Sequence, residues 1–244
     1  MYQLNLRKLS ASSSTNKELK DLLKLNNLKS GDGIWTLNQT DGFGQLGSVW
    51  EGEANSHLAF SLYKKFEDLN PKWIYSINCA SALAVLKTLA QFNVPDLSIK
   101  WPNDILSGNK KICGILAENQ IKSNEIKSII GIGINLYEKT FLKLPNATSV
   151  YIETQKKLSS DFFIDKLSKN LIIYTAMCTN SLAESLSKMF NEKLFFLKQK
   201  ILFEINGELV NARINKVHIN GLLELEFKNR EVKSFQPKEI KMIY

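Results

Sequence analysis

The sequence predicts an α+β fold, a mixed sheet with helices followed by a small all-strand unit at the C-terminal end. Three observations predict it. Between residues 31 and 136, strand-like runs surround one nearly all-apolar helical stretch. From 160 to 195 the apolar period becomes helical, and after 200 every run alternates like a strand, with Asn206-Gly207 and Asn220-Gly221 between the runs. The division this predicts is a larger domain over 1–195 and a small β-barrel over 196–244.

Taken in order, Thr15-Asn16-Lys17-Glu18 has the form of a capping box, and Leu19, Leu22, Leu23 and Leu25 follow at helical spacing until Gly31 and Gly33. A short strand is expected over 34–37, a polar glycine-rich segment over 38–56, and a strand over 57–63. Residues 77–92 are apolar nearly all round and stop before Val94-Pro95, the pattern of a buried helix. Strands are expected over 97–101, 111–118 and 126–136, the first two joined by a turn around Ser107-Gly108-Asn109. Helices over 161–177 and 181–195 meet at Thr179-Asn180. Two hairpins follow, pairing 201–205 with 208–214 and 216–219 with 222–227, each closed by an Asn-Gly pair.

Composition removes several classes. The 244 residues are 44% hydrophobic and 23% charged, ordinary for a globular chain, and no run approaches the ~18 consecutive apolar residues of a membrane span. With no apolar stretch behind Arg7 and Lys8, a secretory signal is not expected, and the predicted location is cytoplasmic. Three cysteines without a C-x-x-C pair fit neither a disulfide framework nor a zinc site, and two histidines cannot build a His-rich metal centre. The net charge of +8 comes from 32 basic residues of which three are arginines, the usual readers of phosphate and guanine, so specific DNA binding is not expected.

Four segments carry candidate chemistry. Gly42-Phe43-Gly44-Gln45-Leu46-Gly47 spells G-x-G-x-x-G, but a dinucleotide site needs a helix next, and Ser48 to Asn55 turns into a strand instead. What survives is a glycine loop whose backbone amides can close around a phosphate or carboxylate. Lys100-Trp101-Pro102-Asn103-Asp104 ends a strand, and proline presents Asn103 and Asp104 beyond the ladder; turn chemistry alone also explains them. Lys111 opens a strand that includes Gly114, as an edge gatekeeper or as a phosphate clamp. Gly131-Ile132-Gly133-Ile134-Asn135 interrupts a β-branched strand with two glycines that admit close approach. The absence of G-x-x-x-x-G-K-[ST] removes P-loop chemistry.

In this order, with Ser14-Thr15-Asn16 before them and Gln39 ahead of the loop that ends at Trp50, these segments resemble the catalytic core of the biotin protein ligases over nearly the whole chain. Lys-Trp-Pro-Asn-Asp, with Lys-x-x-Gly-Ile-Leu starting seven residues after its aspartate, is the most specific part. The resemblance implies a class II synthetase-like core with an SH3-like C-terminal barrel. It also implies a two-step reaction in which biotin and Mg-ATP give biotinyl-5′-adenylate and a lysine of a biotin carboxyl carrier domain takes the acyl group. Implied biotin contacts are Ser14, Thr15, Asn16, Gln39, Gly44, Gln45 and Lys111. Asn103, Asp104 and Asn135 fall on the nucleotide side, and Gly42, Gly47, Trp50, Lys100, Gly114 and Gly133 are further implied biotin- or ATP-binding residues. Lys111, Asp104 and Gln45 are the expected catalytic residues; metal ligands are not assigned, and a homodimer is left open.

Two departures accompany the resemblance. The family commonly carries four loop arginines where this chain has Phe43, Gln45, Leu46 and Ser48, and its repressor members carry an N-terminal winged-helix domain that this sequence does not show. The alternatives are lipoate or octanoyl attachment, on a similar fold but without Lys-Trp-Pro-Asn-Asp, and a basic nucleic-acid-binding module using the barrel.

Overall fold

The structure is a computed structural model that describes residues 4–50, 52–122, 125–142 and 144–244; of Leu46 only the backbone is described. The expectations touching Glu51 and the Leu46 side chain lie outside it.

Strands β1 (Asn5–Lys8) and β2 (Asp32–Thr36) flank helix α1 (Thr15–Lys24) in sequence and pair in parallel. The glycine loop is a small hairpin, β3 (Gly42–Phe43) and β4 (Val49–Trp50), closed by a 3-10 turn over Gln45–Gly47. Then come β5 (His57–Phe66), helix α2 (Ser76–Gln91), β6 (Leu97–Lys100), β7 (Asp104–Ser107), β8 (Lys110–Lys122) and β9 (Glu125–Asn135). Helices α3 (Val150–Thr154), α4 (Ser160–Thr175) and α5 (Ala183–Asn191) lead to the final strands. These are β10 (Lys200–Ile205), β11 (Glu208–Val217), β12 (Leu223–Phe227), β13 (Val232–Phe235) and β14 (Ile240–Ile243).

The large sheet runs β1-β2-β5-β9-β8-β7-β6, antiparallel except at β1–β2, so it is mixed as expected. Period-two alternation sorts β5: Leu58, Phe60, Leu62 and Phe66 join the main core with α2 and α4, while Tyr63 packs with Leu19 of α1 on the other face. Helix α2 is buried nearly all round, with Ile77, Ala80, Ala84, Val85 and Leu89 all fully enclosed. The stretch Pro71–Gln91 is long and apolar enough by length and composition to cross a membrane, and here most of it is core.

The C-terminal strands form the expected small all-strand unit, a five-stranded antiparallel sheet in the order β13-β12-β11-β10-β14. Its inward residues Phe203, Ala212, Ile214, Leu223 and Leu225 belong to the same apolar cluster as α2.

Several expectations are corrected. The helix cap is Ser14, whose hydroxyl accepts from the Lys17 amide, not Thr15. An extra strand, β7, separates 97–101 from 111–118, and the Gly108 turn joins β7 to β8. β7 is only four residues long with Ile105 and Leu106 adjacent, so it shows no alternation, and the β7–β8 register shifts there with Ile112 of β8 as the extra residue. Another bulge, between Ile214 and Lys216, makes 208–217 one bent strand where two were expected. β1, α3, β13 and β14 were not anticipated; each is five residues or fewer.

Candidate functional site

The site begins with two glycines. Gly114 of β8 and Gly133 of β9 are directly paired, and the Trp50 indole lies across both. A Cβ at Gly133 would stand 2.5 Å from Trp50 Cε2, and one at Gly114 would stand 3.0 Å from Cζ3. The strand glycines thus exchange sheet strength for a flat bed on which the loop's last aromatic ring rests. Lys111 Nζ sits 5.3 Å from the same ring centroid and pairs with Asp104 at 2.7 Å.

Two cavities meet at this point. One, of about 290 Å³, is lined by Ser14, Thr15, Asn16 and Gln39 at one end and by Gly44, Gln45, Trp50 and Asn103 toward the other. The second, of about 640 Å³, is more apolar, with Phe141, Leu144, Pro145, Phe203, Ile240 and Tyr244 in its wall beside Lys100 and Asn135. Trp50, Asp104 and Lys111 line both. Among the described residues Asp104 is the one carboxylate lining either cavity, and Lys111 is the one cation lining the smaller.

The candidate residues are therefore gathered from six segments, with two exceptions. Gly47, at φ +83°, faces open space, and Gly42 lines neither cavity; a Cβ there would meet Gln39 Nε2 at 2.6 Å, so it acts as a spacer. Part of the expected amide cradle is spent within the loop, because Gly44 N–H donates to the Ser48 carbonyl and Ser48 N–H to that of Gln45. Asn103 donates to the Ile115 carbonyl at 2.8 Å and Asn135 to that of Thr148 at 2.9 Å, so both amides also hold the walls. Lys100 lies over the Tyr244 ring at 4.9 Å. Sequence reasoning missed Pro237, Phe141, Leu144 and Tyr244, which reach the site from loops and from the C-terminal sheet without any local motif. All three cysteines are free and buried; burial holds the Cys178 thiol up at about 12, and the Cys79 and Cys113 thiols are raised likewise, so none is an available nucleophile at neutral pH.

The biotin/lipoate A/B protein ligase family matches residues 9–135, just over half of the chain. The chain belongs to this family. Among family relatives, a bifunctional ligase/repressor of Bacillus subtilis is 34% identical over 128 residues, which cover 52% of this chain and 39% of that protein. A biotin--[acetyl-CoA-carboxylase] ligase of Mycobacterium tuberculosis is 31% identical over 116 residues, 46% of this chain and 42% of the relative. The chain thus matches about two fifths of the length of these curated relatives. For the fold, the biotin protein ligase of Aquifex aeolicus in complex with biotin and ATP superposes with TM-score 0.79 at 23% identity, covering 98% of each chain. The Helicobacter pylori biotin acetyl coenzyme A carboxylase synthetase gives 0.60 at 23%, covering 96% of this chain and all of the other. The ligase-family match ends at Asn135, so the wall made by Phe141, Leu144, Pro145, Asn146 and Ala147 and by the C-terminal sheet lies beyond it.

Beside the ligase loop, His57 is fully buried with Nδ1 3.1 Å from the Glu53 carbonyl, and Glu138 is buried nearby. Burial holds the imidazole below its ordinary 6.5, against the opposing pull of the Glu53 and Gln39 carbonyls. As pH falls through 6.5 the unfolded chain takes up a proton that the folded chain refuses, so stability drops on acidification. Burial and Glu53 push Glu138 above its ordinary value; this carboxyl favours the fold at lower pH and opposes His57. The expected result is a denaturation midpoint that falls between pH 7 and pH 5.5 in the wild type and falls less in His57→Gln. An equal fall in both would remove His57 from the account.

Proposed function

We propose that the chain joins biotin to ATP as biotinyl-5′-adenylate and passes the biotinyl group to a lysine of a biotin carboxyl carrier domain. The observation that carries this is the junction of the two cavities at the Lys111–Asp104 pair. A compact ligand whose polar end meets Thr15, Asn16 and Gln39 sends its carboxylate toward Lys111, and a nucleotide in the larger cavity brings its α-phosphate to the same lysine. A carboxylate oxygen attacks the α-phosphorus, the bond to pyrophosphate breaks, and Lys111 offsets the negative charge that builds between them. The carrier amine then attacks the acyl carbon, AMP leaves, and Asp104 is the carboxylate placed to take the amine proton. Trp50 and the hairpin cover this point and limit water, which an acyl adenylate requires.

Mg²⁺ fits this donor set as an ion that ATP brings with it. Among the described residues no three His, Cys, Asp or Glu side chains come together, and a single carboxylate suits a cation held mainly by phosphates and water. When bound, it would neutralise phosphate charge.

The smaller cavity also separates biotin from lipoate and octanoate, the other acyl groups considered. Its floor of Ser14, Thr15, Asn16 and Gln39 offers hydrogen bonds to a urea and leaves polar groups unpaired against an alkyl chain. Sites of that kind reject the analogue lacking the polar group by about 10⁴-fold or more. ATP–pyrophosphate exchange is expected with biotin and at background with lipoate and octanoate. Exchange driven by either of the latter would overturn the assignment.

A further inference from the structure

Behind the smaller cavity, polar side chains form an unbroken chain from the protein surface to the cavity floor. Lys20 Nζ donates to Glu118 Oε1, and Asn16 Nδ2 donates to Glu118 Oε2 at 2.8 Å. Ser61, fully buried in β5, is hydrogen-bonded to Asn16 Oδ1 and to Thr15 Oγ1, the latter at 2.7 Å. Gln39 Oε1 accepts the Thr15 amide N–H at 2.9 Å, and the Thr15 hydroxyl oxygen lies 3.3 Å from it. Thr15, Asn16 and Gln39 line the cavity; Lys20, Ser61 and Glu118 do not.

An amide side chain is nearly symmetric in shape, so its neighbours decide which end faces a ligand. For Gln39 the decision belongs to the Thr15 backbone N–H, which admits only the oxygen and leaves Nε2 to donate elsewhere. For Asn16 it belongs to Glu118, because a carboxylate accepts and does not donate. Asn16 and Lys20 stand four residues apart on α1 and reach the same carboxylate from one helix face, with Lys20 ion-paired to its other oxygen. Gly131 completes the arrangement: a Cβ there would lie 2.3 Å from Asn16 Oδ1, so only glycine lets the amide lie against β9.

We propose that Glu118 is a positioning residue for ligand choice. Acting through Asn16, it fixes the polarity of the cavity floor and so sets affinity for a cyclic urea. The inference rests on the biotin reading above. Glu118 touches neither the reacting atoms nor the nucleotide cavity, so its effect falls on acyl-ligand binding and not on the chemical step.

The test compares Glu118→Ala, Glu118→Gln and Lys20→Met by biotin calorimetry without nucleotide and by pyrophosphate exchange. Losing a charge-assisted hydrogen bond predicts a biotin Kd and KM raised about tenfold or more in Glu118→Ala, with kcat at saturating biotin within about twofold. Glu118→Gln keeps an oxygen for Asn16 and is expected within about threefold of wild type, as is Lys20→Met, whose ammonium is partly solvated. Ser61→Ala removes the other anchor of Asn16 and should weaken biotin in the same sense, which keeps the test alive if Glu118→Ala does not fold. Equal damage in the alanine and glutamine variants, or a loss confined to kcat, overturns the positioning role. A wild-type chain that binds biotin while Glu118→Ala binds it as tightly overturns this inference alone; a wild-type chain without biotin affinity overturns the parent reading and this one with it.

Discussion

Lys111→Ala is expected to cut biotin-dependent pyrophosphate exchange by at least about 10²-fold, the scale of losing one preorganised charge-stabilising donor. The reason is local and electrostatic. Lys111 is the one cation lining the smaller cavity among the described residues, and the loop that commonly carries arginines in this family here presents Phe43, Gln45 and Ser48. Among the described residues no second cation therefore stands by on the acyl side in the proposed attack of the carboxylate on the α-phosphate. Removing the ammonium also strips Asp104, whose side chain is only 16% exposed, of its partner at 2.7 Å, which leaves a poorly solvated carboxylate facing two anionic substrates. Both consequences act in the same direction. Lys111→Arg keeps the charge but replaces a compact ammonium with a wider planar fork, so an intermediate loss is expected, confined to kcat if the cavity still admits biotin. Exchange kinetics with saturating biotin and ATP check this, and a Lys111→Ala enzyme running at the wild-type rate would sink the assignment.

Much of this was legible from short strings because those strings encode backbone demands. Gly131, Gly133 and Gly114 announce close approach, and the structure fills each approach with a named side chain, Asn16 or Trp50. Lys100 to Asp104 and Lys111 lie in adjoining strands, so their convergence follows once β7 and β8 pair, Asp104 opposite Gly114. Less visible were contributions that depend on tertiary return of the chain. Tyr244 and Pro237 reach the site from a sheet whose pairing partners lie far away in sequence, and no local period marks them. Glu118 was hidden differently: it sits on a strand that reads as alternating, and only the helix packing across that strand shows that Asn16 and Lys20 close on it. The glycine loop was read as an amide cradle because glycine permits one; Ser48 closes the turn on itself, and that depends on a single hydroxyl-bearing residue.

The division at 195/196 stays a proposal, and the two Asn-Gly hairpins offer a way to weigh what the C-terminal sheet does for the site. In sequence they look alike. In structure Gly207 and Gly221 share a left-handed backbone, at φ +82° and +88°, but a Cβ at Gly207 meets nothing within 4 Å whereas one at Gly221 would stand 2.7 Å from the Tyr75 ring. Gly221 also accepts the Trp101 indole N–H at 2.8 Å, and Tyr75 donates its hydroxyl to the Pro102 carbonyl at 3.2 Å, so this turn braces Lys100 to Asp104 from behind. Gly207→Val should cost only the left-handed strain of about 1–2 kcal/mol. Gly221→Val adds overpacking against Tyr75 of about 1–3 kcal/mol, for a total of about 2–5 kcal/mol. Because the displaced groups brace the strand end from which Asp104 pairs with Lys111, Gly221→Val is also expected to slow exchange by about 10- to 100-fold, the scale of a small misplacement of reacting groups. Gly207→Val should leave exchange within about twofold, since nothing in its surroundings leads to the cavity. Denaturation midpoints and exchange rates of the two variants, measured side by side, separate hairpin strain from bracing; equal losses in both would mean that the contact with Tyr75 and Trp101 carries no weight and that the sheet serves the site only as a wall.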